Sequence, residues 1–152
     1  MTIKVASEAD KTEWLRLRTA LWPDVSKEIH EREMDAMRSD SERFAVFVVP
    51  GPNERLLGFL EVSIREIIDE GCIFKHIGYI EGWYVEPGSR GKGVGGDLVK
   101  AAEEWASGKG VTEMGSDTGI EDILSQKAHQ ALGYQEQDRL ILYRKALGEA
   151  KR

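Results

Sequence analysis

Cysteine is nearly absent: Cys72 stands alone among 152 residues. A single thiol excludes an internal disulfide, and nothing around it has metal-ligand spacing, so no bound metal is expected. A reducing, cytoplasmic compartment is the default that follows. No apolar run approaches the roughly 20 residues of a membrane-spanning helix. The opening M-T-I-K-V-A-S-E lacks the apolar centre of a secretory signal, so no membrane partner is expected. Basic residues are outnumbered, 21 Lys and Arg against 27 Asp and Glu, and the net charge of -6 argues against a nucleic-acid partner. An acidic balance suits a cationic ligand, and equally it serves solubility. Repeats and low-complexity tracts are missing too. The expectation is a single domain over residues 1–147 with a short tail, 148–152.

What is present is organised around His76 to Trp105. An apolar strand over about Ile77 to Val85 ends at Pro87. A glycine-rich turn, Gly88 to Gly96, follows, carrying Arg90 and Lys92. An amphipathic helix then begins, with Val94, Leu98, Ala101, Ala102 and Trp105 at helical spacing. Glycines let backbone N–H groups approach a ligand, and a helix N-terminus adds unpaired donors. Together they form a seat for phosphate oxygens. The spacing is neither the G-x-G-x-x-G dinucleotide fingerprint nor a P-loop.

The rest of the chain alternates. A short strand over Thr2 to Ala6 leads to a helix from Ser7 to about Leu21, with Ser7 and Asp10 as a capping pair. Trp22-Pro23 breaks it. A charged helix over about Ser26 to Arg38 has only a thin apolar stripe of Ile29, Met34 and Met37. Strands are expected over Arg43 to Val49 and Leu56 to Ile64, with Glu66 to Lys75 as a polar connection. A short strand over Val111 to Gly115, a helix over about Ile120 to Leu132 capped by Thr118 with Glu121, and a last strand over Tyr134 to Arg144 complete the order. This is a mixed α/β domain with one sheet and helices on both faces.

The strand followed by R-x-x-G-x-G, Arg90 to Gly95, resembles the acetyl-CoA diphosphate loop of the GNAT superfamily of N-acetyltransferases. The order of elements over nearly the whole chain is similar to that fold. The resemblance implies a central mixed sheet splayed between strands 4 and 5, with acetyl-CoA entering the gap. It implies that the backbone of Trp83, Tyr84 and Val85 lines the acetyl and pantetheine arm. It implies that Arg90, Gly91, Lys92, Gly93, Val94, Gly95 and Gly96 hold the diphosphate. Asp122 matches a cofactor-contacting position, although an aspartate near phosphate is repelled by it.

More specific segments are L-W-P at Leu21 to Pro23, E-G at Glu81-Gly82, S-D-T at Ser116 to Thr118, S-Q-K-A-H-Q-A-L-G-Y at Ser125 to Tyr134, and Y-R-K at Tyr143 to Lys145. These resemble the aminoglycoside 6′-N-acetyltransferases. That resemblance implies a polycationic aminoglycoside substrate, carboxylates and indole faces around it, and a homodimer, which the sequence itself does not show.

Glu81 is the sharpest candidate. It lies in an apolar strand, on the face expected to be shared by Tyr79, Trp83 and Val85, where a carboxylate is costly unless paired. It either binds the reactive amine and takes its proton, or pairs with a nearby Lys or Arg. Asp117, at the end of the fifth strand, either assists the helix cap or serves as a second substrate carboxylate. Asp138 matches an acidic substrate position or is a solvated turn residue. Trp22 either packs in the core or stacks on the sugar. Where relatives carry a tyrosine general acid this chain has His129, so that proton falls to His129 or to water. His30 and His76 show no metal spacing and read as surface residues. An acetyltransferase of another amine (a polyamine or a protein amino group) and a non-catalytic CoA-binding module remain as alternatives.

Overall fold

The computed structural model describes residues 2–69 and 73–149, the side chains of Asp69 and Ile73 excepted. Cys72 and the end of the expected tail, 150–152, lie outside the described residues. The described chain runs β1 (Lys4–Val5), α1 (Lys11–Leu21), α2 (Lys27–Ser39), β2 (Phe44–Pro50), β3 (Leu56–Asp69), β4 (Ile73–Val85), α3 (Val94–Gly108), β5 (Met114–Ser116) and α4 (Ile123–Ala131). Contacts divide it into two units, Met1–Asp117 and Thr118–Arg152.

The first unit holds a five-stranded sheet in the order β1-β2-β3-β4-β5. The first four strands are antiparallel to their neighbours and β5 runs parallel to β4. β5 pairs with Gly78, Tyr79 and Ile80, and among the described residues β4 beyond Ile80 has no ladder partner on that side. This is the splay that the GNAT fold requires. Helices cover both faces. Trp14 and Leu17 of α1 and Met34 and Met37 of α2 pack with Val46, Val48, Leu56 and Phe59 in the main core. On the other face, a Cβ on Gly58 would meet Leu98, and one on Gly78 would meet Ala106 at 2.8 Å, so α3 lies tight against β3 and β4. Burying Phe59, Trp14 and Leu17 completely contributes about 1.5–3 kcal/mol for each side chain of that size or more.

Three local expectations change. The polar stretch 66–75 is not a plain connection: β3 and β4 continue through it as a long hairpin, paired to Asp69 and Ile73. Backbone hydrogen bonds do not require apolar side chains when both faces meet solvent. Second, β4 carries a bulge. Val62 pairs with Ile80 and Glu61 with Gly82, leaving Glu81 as the extra residue. A bulge shifts the alternation by one. Trp83 therefore turns to the α3 face, where its ring lies 3.2 Å from a Cβ built on Gly95, and does not share a face with Glu81. Third, His30 is not a surface residue; it is 1% exposed.

In the second unit, Asp122 rather than Thr118 caps α4, its Oδ1 accepting from the Ser125 N–H at 3.0 Å. The helix stops before Gly133, at φ 90. His129 Nδ1 donates locally to the Ser125 carbonyl at 2.7 Å, and its ring meets Tyr134 edge-on. The strand expected over Tyr134 to Arg144 is absent, and this segment forms no ladder in the described chain. A strand alone leaves its own N–H and C=O groups unpaired, so apolar pattern without a neighbouring strand does not produce one. Leu140, Ile141, Leu142 and Tyr143 are accordingly exposed.

Candidate active site

The bulge at Glu81 opens onto a cleft of about 440 Å³ lined by Arg18, Trp22, Val25, Glu33, Met37, Phe44, Glu61 and Glu81. It sits between α1, α2 and the sheet. Trp22, the residue that ends α1, lies against β4. A Cβ on Gly82 would fall 2.5 Å from the Trp22 ring, so the glycine after Glu81 is what lets the indole approach the strand.

Trp22 is held from behind. Arg18 places its guanidinium 4.9 Å from the indole centroid. Its Nε donates to Nδ1 of His30 at 3.2 Å, which leaves the His30 Nε2 hydrogen to point at the Trp22 carbonyl, also at 3.2 Å. The His30 ring stacks on Trp22 at 6.4 Å between centroids. Arg18 further donates to Glu61 Oε2 at 3.1 Å and to Glu33 at 2.8 Å, and Trp14 Nε1 donates to Glu61 at 2.9 Å. Arg18 and Glu61 are each 1% exposed. Burial pushes the Glu61 carboxyl up to about 7, with Glu33 and Glu81 adding to that and the Arg18 charge and the Trp14 N–H opposing it.

Glu81 and Trp22 thus line one cleft. Glu81 is also paired: Arg65 grips both its oxygens, and Ser63 Oγ donates to Oε1 at 2.6 Å. Asp117 joins the same group through Tyr79, whose hydroxyl donates to it at 2.5 Å. Burial and the Asp117 charge hold the Tyr79 hydroxyl well above its ordinary range, so it remains a donor. Asp138 is exposed in the second unit and accepts from the Arg139 N–H at 2.8 Å.

Sequence reasoning missed Arg18, His30, Glu33, Glu61, Arg65 and Tyr79. One signal was available. Glu61, Ser63 and Arg65 alternate with Leu60, Val62 and Ile64 in β3, so a polar row occupies one face of a central strand.

Beyond β4 the glycine turn meets α3. Gly91 and Gly93 have φ of 77 and 84, a region open to glycine, and no atom lies within 4 Å of a Cβ built on either. Gly93 is the N-cap of α3 and no side chain makes a capping hydrogen bond there, so the N–H groups of its first turn are not taken by a capping side chain; Asp97 is the acidic residue of that turn. This backbone fits a diphosphate. Arg90 turns back on the strand end: its Nε donates to the Val85 carbonyl at 2.8 Å and its guanidinium lies 5.4 Å from the Tyr84 ring centroid. Trp83, packed beneath Gly95, supports the turn with its side chain while its backbone pairs with Leu60 of β3. Among the described residues no group of three or more His, Cys, Asp or Glu is placed to hold a metal, and no helix is long and apolar enough to cross a membrane.

A splayed five-stranded sheet with an uncapped glycine turn at its fourth strand defines a class. Residues 12–134 match the acetyltransferase (GNAT) family, and the chain belongs to it. It is an N-acetyltransferase with acetyl-CoA as co-substrate. Among the proteins it is similar to is the aminoglycoside N(6′)-acetyltransferase type 1 of Klebsiella aerogenes, 39% identical over 95% of this chain and 96% of that one. The aminoglycoside 6′-N-acetyltransferase AAC(6′)-Ig of Acinetobacter haemolyticus, solved without ligand, matches with a TM-score of 0.86 at 32% identity, over 97% of this chain and 100% of that one. AAC(6′)-Iy in complex with the bisubstrate analogue CoA-S-monomethyl-acetylneamine matches at 0.85 and 34% identity, over 95% and 97%.

Proposed function

We propose that this protein transfers the acetyl group of acetyl-CoA directly to the 6′-amine of aminoglycoside antibiotics, conferring resistance. The observation that carries this reading is the cleft itself: three glutamates and an indole, beside the strand end that leads into the diphosphate turn. The names of the relatives at 32–39% identity point the same way.

Acetyl-CoA supplies a thioester whose carbonyl carbon takes the amine nitrogen as its C–S bond breaks, the sulfur leaving as the CoA thiol. The remaining work belongs to side chains and backbone. Trp22 stacks on the sugar. Glu81 accepts the amine and, directly or through water, its proton; such a base contributes about 10²–10⁴-fold. Asp117 and Asp138 meet further ammonium groups. The main chain of Trp83, Tyr84 and Val85 lines the acetyl arm, and the N–H groups of residues 91–96, with Arg90 and Lys92, take the diphosphate. Asp122, by the family resemblance, contacts the cofactor. The thiolate is protonated by His129 or by water.

The reading treats residues 1–147 as one domain, supported by a family match that runs across both contact units. It places the protein in the cytoplasm, with neither nucleic acid nor membrane as partner. It also makes the protein a homodimer. The run Leu140 to Tyr143, 77–89% exposed, is compatible with this, because a contiguous exposed apolar run marks an interaction surface. The testing experiment is thiol release from acetyl-CoA with paired aminoglycosides that differ only by an amine or a hydroxyl at C6′. Turnover of the amine member alone is expected. Equal inactivity on both, with turnover of spermidine, contradicts the reading.

A further inference from the structure

Glu81 is an extra residue in a bulge, so the strand ladder does not aim its side chain. Arg65 does. Its Nε donates to Oε1 at 2.7 Å and its Nη2 to Oε2 at 2.5 Å. This fork fixes the plane of the carboxylate, which a lysine does not do. The same guanidinium lies 3.6 Å from the centroid of the Tyr79 ring, and Tyr79 donates to Asp117. Glu81 and Asp117, two of the carboxylates assigned above to the substrate, are therefore tied to one cation.

The acceptor count gives the arrangement a purpose. A carboxylate offers about four lone-pair sites. Oε1 takes Ser63 and Arg65; Oε2 takes Arg65 alone among the described residues. One acceptor site on Oε2 is left, and its direction is set by the fork. Stability does not explain the pair. The Arg65 and Glu81 side chains are 42% and 25% exposed, and ion pairs at such positions contribute roughly 0–1 kcal/mol. The hydrogen bond to Glu81, with the neighbouring charges of Glu81, Tyr79 and Asp117, raises the Arg65 guanidinium above its ordinary range against the opposing effect of burial, so it stays charged.

We propose that Arg65 is a positioning residue for acetyl transfer: it holds Glu81 with a single open acceptor site toward the cleft, so that one amine donor is received in a set direction. The inference rests on the reading of Glu81 as the acceptor of the amine. It is tested by a four-corner comparison of wild type, Arg65→Met, Glu81→Gln and the double variant, with kcat/KM for a 6′-amine aminoglycoside, KM for acetyl-CoA and Tm as readouts. Each single substitution is expected to lower kcat/KM by about 10–100-fold, the scale of a misplaced reacting group. The double variant falls no further than the worse single one, and KM for acetyl-CoA and Tm stay put. Arg65→Lys recovers only part of the loss. If Arg65→Met does not fold, Arg65→Lys in the wild-type and Glu81→Gln backgrounds makes the same comparison. Full activity of Arg65→Met beside an impaired Glu81→Gln overturns this inference and leaves the role of Glu81 standing. So does an additive double variant. An unimpaired Glu81→Gln overturns both.

Discussion

Glu61 is the group whose removal has the most calculable consequence. It lies 1% exposed under the cleft, bonded to Trp14 and Arg18. Burial holds its carboxyl up at about 7 in the folded protein, against an ordinary 4.5. Between those values the folded state keeps a proton that the unfolded chain has already released, so stability falls as pH rises through the window. Over that span the loss is about 3 kcal/mol, each pK unit being worth about 1.4 kcal/mol. Glu61→Gln keeps an oxygen for the Trp14 N–H but cannot ionise. The stability of Glu61→Gln relative to wild type should therefore grow by about 3 kcal/mol between pH 4.5 and 7.5. A constant offset, reporting what Arg18 loses, lies beneath that trend. Urea unfolding followed by tryptophan fluorescence, at several pH values and one protein concentration, measures it. A difference that does not change with pH would show that Glu61 is ionised throughout, and the electrostatic account of the cleft floor would be wrong.

Three other substitutions probe separate parts. Gly93→Val forces a branched side chain onto φ 84 at the α3 N-cap, and CoA binding by calorimetry should disappear while circular dichroism remains native; retained affinity would remove the diphosphate turn from the account. Trp22→Ala should raise KM for the aminoglycoside by about tenfold, about 1.4 kcal/mol and within the range of a cation–π contact, and leave KM for acetyl-CoA alone. Phe59→Ala, at a site with no solvent exposure, should cost about 3–5 kcal/mol in denaturant unfolding; a loss below 1 kcal/mol would place the core elsewhere.

The glycine turn was legible because it is local. Backbone freedom at Gly91 and Gly93 and the onset of an amphipathic helix are written in adjacent residues. Glu81 was legible as a carboxylate out of place in an apolar strand, but its partner was not. Arg65 lies sixteen residues away along the chain and meets it only through the register of β3 and β4. The bulge is a one-residue offset between two strands, so the sequence of β4 alone assigned Trp83 to the wrong face. In α2 the thin stripe was read as Ile29, Met34 and Met37, yet Ile29 is 46% exposed and His30 is buried. A histidine takes that position because both its ring nitrogens find partners in Arg18 and Trp22. The last strand failed for a complementary reason: periodicity proposes a strand, but only a neighbour completes it.

The most direct measurement is a crystal structure with CoA and a 6′-amine aminoglycoside bound together. The account predicts the diphosphate on the N–H groups of residues 91–96 and the 6′ nitrogen within hydrogen-bonding distance of Glu81, with Arg65 still holding that carboxylate. An aminoglycoside seated away from the cleft between Trp22 and Glu81, or a diphosphate off the glycine turn, would contradict it.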